Sequence, residues 1–133
     1  MRFYSVGNQY LSSIQQGIQA AHCVSEMFIN HDDNEYLWRW AKDYKTLICL
    51  NGGNNAKLED LWDFLNIAGY KNSYPWITFC EDQESMGGML TSVGIIVPKE
   101  IYSIDLSDAS TWSSLTPWEV ELATRLKQMP TAR

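Results

Sequence analysis

The sequence has no long apolar run and no basic N-terminal segment followed by one. None of its apolar stretches approaches the roughly 20 residues that a membrane-spanning helix needs. The first ten residues, MRFYSVGNQY, lack the charged-then-apolar order of a secretory signal peptide. We therefore expect a cytoplasmic protein with no membrane partner. The 133 residues suit a single domain, and 45% apolar with 20% charged residues is typical of a folded globular protein.

Cysteine and histidine are scarce, with three and two copies. Cys23, Cys49 and Cys80 are odd in number and widely spaced inside apparently structured segments, which favours reduced core thiols over a disulfide framework. Two histidines without a Cys-x-x-Cys pair cannot supply a closed zinc site at the usual spacings. The glycines follow neither P-loop nor dinucleotide-binding spacing, and the acidic residues after His31 lack the alternation of a calcium loop. We expect no metal and no cofactor.

Basic residues are outnumbered, ten against sixteen acidic ones, which gives a formal charge of −6. Affinity for nucleic acid depends mainly on contacts of Lys and Arg with phosphate. Any contact with RNA must therefore be local. Arg39, Lys42 and Lys45 form a dense basic group, although such a group usually belongs to a solvated helix face.

The spacing of apolar residues predicts alternating strands and helices. Strands are predicted at Phe3–Val6, Thr46–Leu50, Trp76–Cys80 and Leu90–Val97, and helices over Ile14–Ile29, from a cap at Asp33 or Asn34 through Ala41, over Ala56–Ala68, and from a capping box at Thr116–Glu119. Helical crossovers imply at least one parallel strand pair. The order predicts an α/β fold, a single-domain mixed four-stranded sheet flanked by helices. The tail Pro130–Arg133 is expected to fray.

Two segments of this order carry a resemblance to a known family. The first is Gln16-Gly-Ile-Gln-Ala-Ala-His-Cys-Val-Ser-Glu-Met-Phe28, and the second is Phe79-Cys-Glu-Asp-Gln-Glu-Ser-Met-Gly-Gly-Met-Leu-Thr-Ser-Val-Gly94. They resemble the type 2 peptidyl-tRNA hydrolase (PTH2) family: the first is similar to its opening helix, Gly-Lys-x-Ala-Ala-Gln-Cys-x-His-Ala, and the second to its strand, acidic loop and Thr-containing last strand. The resemblance covers about residues 2–103 and leaves residues 104–133 as a C-terminal extension with a helix.

The resemblance implies an activity and a set of site residues. Hydrolysis of the ester of peptidyl-tRNA, or of a related aminoacyl ester, needs an activated water and a donor for the developing oxyanion. The family's fold brings the start of the first helix against the acidic loop and the last strand. The implied catalytic residues are His22, Glu81 and Thr91, and the implied substrate-binding residues are Gly17, Gln19, Asp82 and Ser85.

The sequence departs from the family pattern at three positions of the first helix. Ile18 stands where the family has Lys, His22 where it has Gln, and Ser25 where it has His. A divergent bacterial and phage branch is similar in lacking the lysine. Arg2, Arg39 or Lys45 are the candidates to supply the missing cation. The departures favour a second hypothesis, a catalytically inactive PTH2-fold protein that binds a nucleotide or a protein partner.

Six tryptophans are many for a chain of this size. Most are expected in the core or in subunit contacts, although tryptophan also stacks on bases. Trp38 and Trp40 cannot share one face of a helix, so at least one is expected on the surface, in a homodimer contact or a ligand surface.

Overall fold

The computed structural model describes residues 1–69, 74–80 and 90–132. Its strands are β1 (Arg2–Gly7), β2 (Leu47–Asn51), β3 (Trp76–Cys80) and β4 (Leu90–Val97). Its α-helices are α1 (Ser13–Asn30), α2 (Glu35–Arg39), α3 (Asn55–Gly69), α4 (Lys99–Tyr102) and α5 (Pro117–Gln128). A π-helical turn, Trp40–Tyr44, continues α2, and a 3₁₀ turn, Ala109–Thr111, precedes α5. No helix within these residues is both long and apolar enough to cross a membrane.

The four strands form one mixed sheet in the order β2-β1-β4-β3. β1 pairs in parallel with β2 and antiparallel with β4, and β3 pairs antiparallel with β4. The predicted single α/β domain with a mixed four-stranded sheet is confirmed. β1, β2 and β3 end at the same edge at which β4 begins, and we call it the carboxyl edge. The opposite edge, where β1, β2 and β3 begin and β4 ends, is the amino edge.

Both faces of the sheet are covered by helices. Side chains alternate along each strand, so each strand contributes to the packing on both faces. One face packs on α1 and α2 through a cluster of Met1, Phe3, Cys23, Met27, Leu37, Trp40 and Ile96. Phe3 lies 5.0 Å from Trp40 between ring centroids. Gly94 leaves room for Phe3, since a Cβ at Gly94 would lie 2.9 Å from its Cε1. Trp38 is 42% exposed while Trp40 is buried, so the prediction of an exposed tryptophan is confirmed.

The other face packs on α3 and α5. Its buried side chains include Leu58, Leu61 and Leu65 of α3 and Leu122, Ala123 and Leu126 of α5. The capping box at the start of α5 is confirmed, with Thr116 accepting from the Glu119 amide and Glu119 accepting from the Thr116 amide. The C-terminal extension is therefore part of the core.

Residues 130–132 do not fray, so the expectation for this part of the tail is wrong. Thr131 forms an antiparallel bridge with Leu50 of β2. The amide of Asn51 donates to the Pro130 carbonyl at 2.8 Å, and the amide of Ala132 donates to the Cys49 carbonyl at 2.9 Å. β2 is an edge strand, and edge strands invite pairing with other chains unless they are covered. The tail covers part of that edge.

Replacing Ala132 by proline is expected to loosen the tail, because proline has no amide hydrogen to donate to the Cys49 carbonyl. We expect the free energy of unfolding to fall by about 1 kcal/mol. We also expect concentration-dependent association, measured by size-exclusion chromatography with light scattering. Thr131→Ala, which keeps both backbone bonds, is the matched control. Equal stability and equal mass for the two variants would contradict the assigned role of the tail.

Candidate functional site

Six polar residues are buried in the part of the chain that the structure describes. They are Ser5, Asn8, Gln16, Gln19, Thr91 and Ser92. All six come from α1, from the second half of β1 and the loop after it, or from the first residues of β4. Buried polar groups are costly unless they are hydrogen-bonded. Their concentration between α1 and the carboxyl edge marks this region as the candidate site.

A β-bulge places Thr91 in this region. Phe79 pairs with Ser92 and Cys80 with Leu90, so Thr91 is an extra residue in β4 without a partner in β3. A bulge of this kind redirects a side chain out of the regular alternation. The Thr91 hydroxyl lies 2.9 Å from Oε1 of Gln19 and 3.1 Å from the Phe79 carbonyl oxygen, and it shares its hydrogen between them. One buried hydroxyl thus joins α1, β3 and β4.

The bond to Thr91 also orients the Gln19 side chain. Its Oε1 atom accepts a hydrogen bond from the Thr91 hydroxyl, which fixes the amide group on the side of α1 that faces β4. The family resemblance implied both residues as site residues, and the structure brings them into direct contact.

His22 lies one turn after Gln19 on α1 and is exposed. Its ring stacks on Phe79, with 4.5 Å between ring centroids and 8° between the planes. Phe79 is the same residue whose carbonyl accepts from Thr91. Phe79 therefore connects the exposed imidazole to the buried Gln19–Thr91 pair.

Two further residues support this arrangement, and sequence reasoning missed both. The Asn8 side chain accepts a hydrogen bond from the Tyr10 amide at 3.0 Å and donates one to the Leu90 carbonyl at 3.4 Å. These two bonds hold the loop after β1 against the start of β4. Gln16 packs against Gly7, where a Cβ would lie 2.5 Å from its Oε1. The Gly-Asn pair at the end of β1 was the available signal, because Asn commonly bonds to the backbone two residues later.

Gly17 is separated from this cluster. It is two residues before Gln19, which places it about 200° further round the helix. A Cβ at Gly17 would meet nothing within 4 Å. The neighbouring Ile18, where the family has its lysine, is 49% exposed. The start of α1 thus presents an uncharged surface to the solvent.

Cys23 is buried deeper along α1, with its sulfur 3.0 Å from the Ser92 hydroxyl. Burial raises the pKa of the Cys23 thiol to about 11, although hydrogen bonds from Ser92 and Ser5 oppose that effect. The thiolate is the nucleophilic form of cysteine, so Cys23 is a structural thiol. Cys23 and Cys49 are both free, as predicted.

Glu81, Asp82 and Ser85 lie outside the described residues, and their roles remain predictions. The candidates for the missing cation can be placed. Arg2 begins β1, Arg39 ends α2, and Lys45 precedes β2, so all three are at the amino edge, away from Thr91. The suggestion that one of them replaces the family's lysine at this site is wrong.

A groove of about 420 Å³ also opens at the carboxyl edge, on the face covered by α3 and α5. Its lining includes Gln9, Gly53, Lys57 and Arg125. Arg125 is already paired with Asp60 at 2.9 Å and with Glu121 at 3.0 Å. Gln9 follows Asn8 directly, so the loop after β1 connects this groove to the Gln19–Thr91 pair.

On the face covered by α1, the polar side chains that the structure describes near the carboxyl edge include amide, hydroxyl and imidazole groups. Within residues 1–69, 74–80 and 90–132, no three His, Cys, Asp or Glu side chains are grouped so that they could hold a metal ion. Comparison of the chain with known protein families and with curated proteins gives no match. The interpretation of the site therefore depends on its geometry.

Proposed function

We propose that the chain is a PTH2-like hydrolase that cleaves the ester of peptidyl-tRNA or of a related aminoacyl ester. The observation that carries this proposal is the bulged Thr91, whose hydroxyl contacts both Gln19 and the carbonyl of Phe79, the residue on whose ring the exposed His22 stacks. Gln19, His22 and Thr91 are three of the residues implied by the family resemblance, and they converge from segments far apart in the sequence.

In this proposal His22 is the general base. An exposed imidazole can accept a proton from an attacking water, and stacking on Phe79 holds its ring plane. Gln19 keeps the role in substrate binding that the family resemblance implies. Thr91 is fully buried, so we assign it the role of a positioning residue that keeps the Gln19 amide in one orientation. Glu81 keeps its predicted role of orienting the imidazole.

Because Ile18 stands where the family has its lysine, another basic group must bind the tRNA phosphate. Lys57 lines the groove on the other face of the same edge, at the start of α3. We propose that it contacts a phosphate of the acceptor end while the ester lies at Gln19. This local cation is compatible with the overall charge of −6.

Release of free tRNA from an N-blocked peptidyl-tRNA tests the proposal, with Thr91→Val and Thr91→Ser as a matched pair. Valine keeps the shape of threonine and removes the hydroxyl that orients Gln19, whereas serine keeps the hydroxyl. We expect the turnover number to fall roughly tenfold in Thr91→Val, the equivalent of one buried hydrogen bond, and to stay near the wild-type value in Thr91→Ser. KM should change little in either variant. Absence of release by folded wild-type protein would reject the hydrolase.

A second function is favoured by Ile18. This exposed apolar side chain occupies the position of the family's lysine, which suits a PTH2-fold protein that binds a nucleotide or a protein partner without catalysis. Retention of peptidyl-tRNA on the protein in a filter-binding assay, with no release of tRNA, would support this function.

A further inference from the structure

A second hollow lies at the amino edge, at the opposite end of the sheet from Thr91. It has a volume of about 550 Å³, within the range of small-molecule sites. Its lining includes four tyrosines and two basic residues, Tyr36, Tyr44, Tyr74, Tyr102, Arg39 and Lys99. Leu115 and Glu119 of the C-terminal extension complete one wall. The hollow thus combines parts of α2, α4 and the extension, and it is separate from the proposed hydrolase site.

The aromatic walls of this hollow are held in place. Tyr36 and Tyr74 pack edge to face, with 5.4 Å between ring centroids. The Tyr74 hydroxyl donates to Oε2 of Glu119 at 2.7 Å. Tyr102 lies beneath the Arg2 guanidinium, 4.0 Å from its central carbon. Tyr44, which is 52% exposed, also lines the hollow. Aromatic rings around an open space suit stacking on a planar base.

The charged groups around the hollow favour a phosphate at one end. Arg39 and Lys99 both line it, in a chain whose overall charge is negative, and Arg39 also pairs with the Glu35 carboxylate on the same helix. The Glu119 carboxylate is already engaged by the Tyr74 hydroxyl and by the Thr116 amide. Glu100 is the remaining acidic group in the lining and opposes an anion.

A smaller hollow of about 300 Å³ adjoins the first one along α4. The two share Lys99, Glu100, Ser114 and Leu115. Lys99 therefore lies at the junction of the two hollows, where it could contact the phosphate of a nucleotide whose base lies among the tyrosines. An RNA strand that continues beyond this phosphate would lie in the smaller hollow.

We propose that the tyrosine-lined hollow binds a nucleotide, with its base among the tyrosine rings and its phosphate on Arg39 and Lys99. The same chemistry is presented by a free mononucleotide and by the terminal nucleotide of an RNA. The site does not depend on the proposed hydrolase activity, because none of the residues that form it lies at the carboxyl edge.

Titration of the full chain with AMP, followed by calorimetry and by NMR, tests this site. Tyr44→Ala removes a stacking surface and Lys99→Gln removes a phosphate partner, and each is expected to weaken AMP binding roughly tenfold. Glu100→Gln is expected to strengthen it, because a like charge is removed. Tyr10→Ala and Lys127→Gln, an exposed tyrosine and an exposed lysine outside this hollow, are the matched controls and should bind as the wild type does. Adenosine and ribose 5-phosphate should each bind more weakly than AMP.

The source of the nucleotide follows from a second ligand, a 5′-phosphorylated RNA trinucleotide. Tighter binding of the trinucleotide than of AMP identifies an RNA end, and equal binding identifies a mononucleotide. The inference is overturned if neither ligand binds saturably at millimolar concentration. It is also overturned if binding survives both Tyr44→Ala and Lys99→Gln, or if it is lost in Thr91→Val, which would place the ligand at the carboxyl edge.

Discussion

Replacing Leu122 by alanine is expected to lower the free energy of unfolding by about 2–5 kcal/mol. Leu122 is fully buried on the face of the sheet that also contains Leu58 and Leu65 of α3. The loss includes the transfer of the deleted carbons and the cavity left behind. Denaturation by urea, followed by tryptophan fluorescence and circular dichroism, measures it. Because a small domain is stable by only about 5–15 kcal/mol, this single change would remove a large part of the total.

The matched control is Leu106→Ala, which deletes the same atoms from a side chain that is 48% exposed. Its expected effect is within about 0.5 kcal/mol. Equal effects of the two substitutions would show that α5 is not part of the core. Because α5 supplies part of the core, we also expect that a chain shortened to residues 1–103, the extent of the family resemblance, does not fold.

Other contacts of α5 support this expectation. Trp118 stacks on Phe64 of α3, with 5.4 Å between ring centroids. Glu119 accepts a hydrogen bond from Tyr74. Burial raises the pKa of Glu119, but hydrogen bonds from the Thr116 amide and from the hydroxyls of Tyr74 and Thr116 outweigh that effect and hold the pKa below its usual value. Glu119 is thus a carboxylate at neutral pH, and its bond to Tyr74 is assisted by charge.

Elements that depend on neighbouring residues were predictable from the sequence. The strands at Trp76–Cys80 and Leu90–Val97 begin and end where the apolar pattern predicts. Asn34 caps α2 by accepting from the amides of Tyr36 and Leu37, which decides between the two predicted caps. The capping box of α5 is equally local. In each case the signal lies within a few residues of the feature it predicts.

Features that depend on pairing across the fold were not predictable. The bulge at Thr91 exists only in the register between β3 and β4, and nothing in the local sequence indicates it. The pairing of residues 130–132 with β2 joins segments about 80 positions apart. The location of Arg2, Arg39 and Lys45 at the amino edge follows from strand order. The resemblance implied Gln19 and Thr91 as residues of one site, and the Gly-Asn pair signalled Asn8, whereas the polar support from Gln16 required the structure.

If the chain is the proposed hydrolase, the largest effect on activity is expected at His22. Replacing a general base typically lowers the rate by about 10²–10⁴-fold, and we expect His22→Ala to fall in this range for release of tRNA from peptidyl-tRNA. His22 is exposed and its ring contact is with Phe79, so the variant should unfold at nearly the wild-type urea concentration. His31→Ala is the matched control, because His31 is the other histidine of the chain. The ring of His31 bonds to the Trp76 carbonyl at 2.9 Å, at the start of β3 and therefore at the amino edge.

Added imidazole separates a proton-transfer role of His22 from a structural one. Removal of the side chain leaves a gap above Phe79 that a free imidazole can enter and stack in, since the plane of the original ring lies only 8° from that of Phe79. If His22 accepts the proton, imidazole should restore part of the rate in His22→Ala and have no such effect on Thr91→Val, whose base is intact. If His22 only packs on Phe79, a His22→Phe variant should be as active as the wild type, and that result would exclude the imidazole from the reaction.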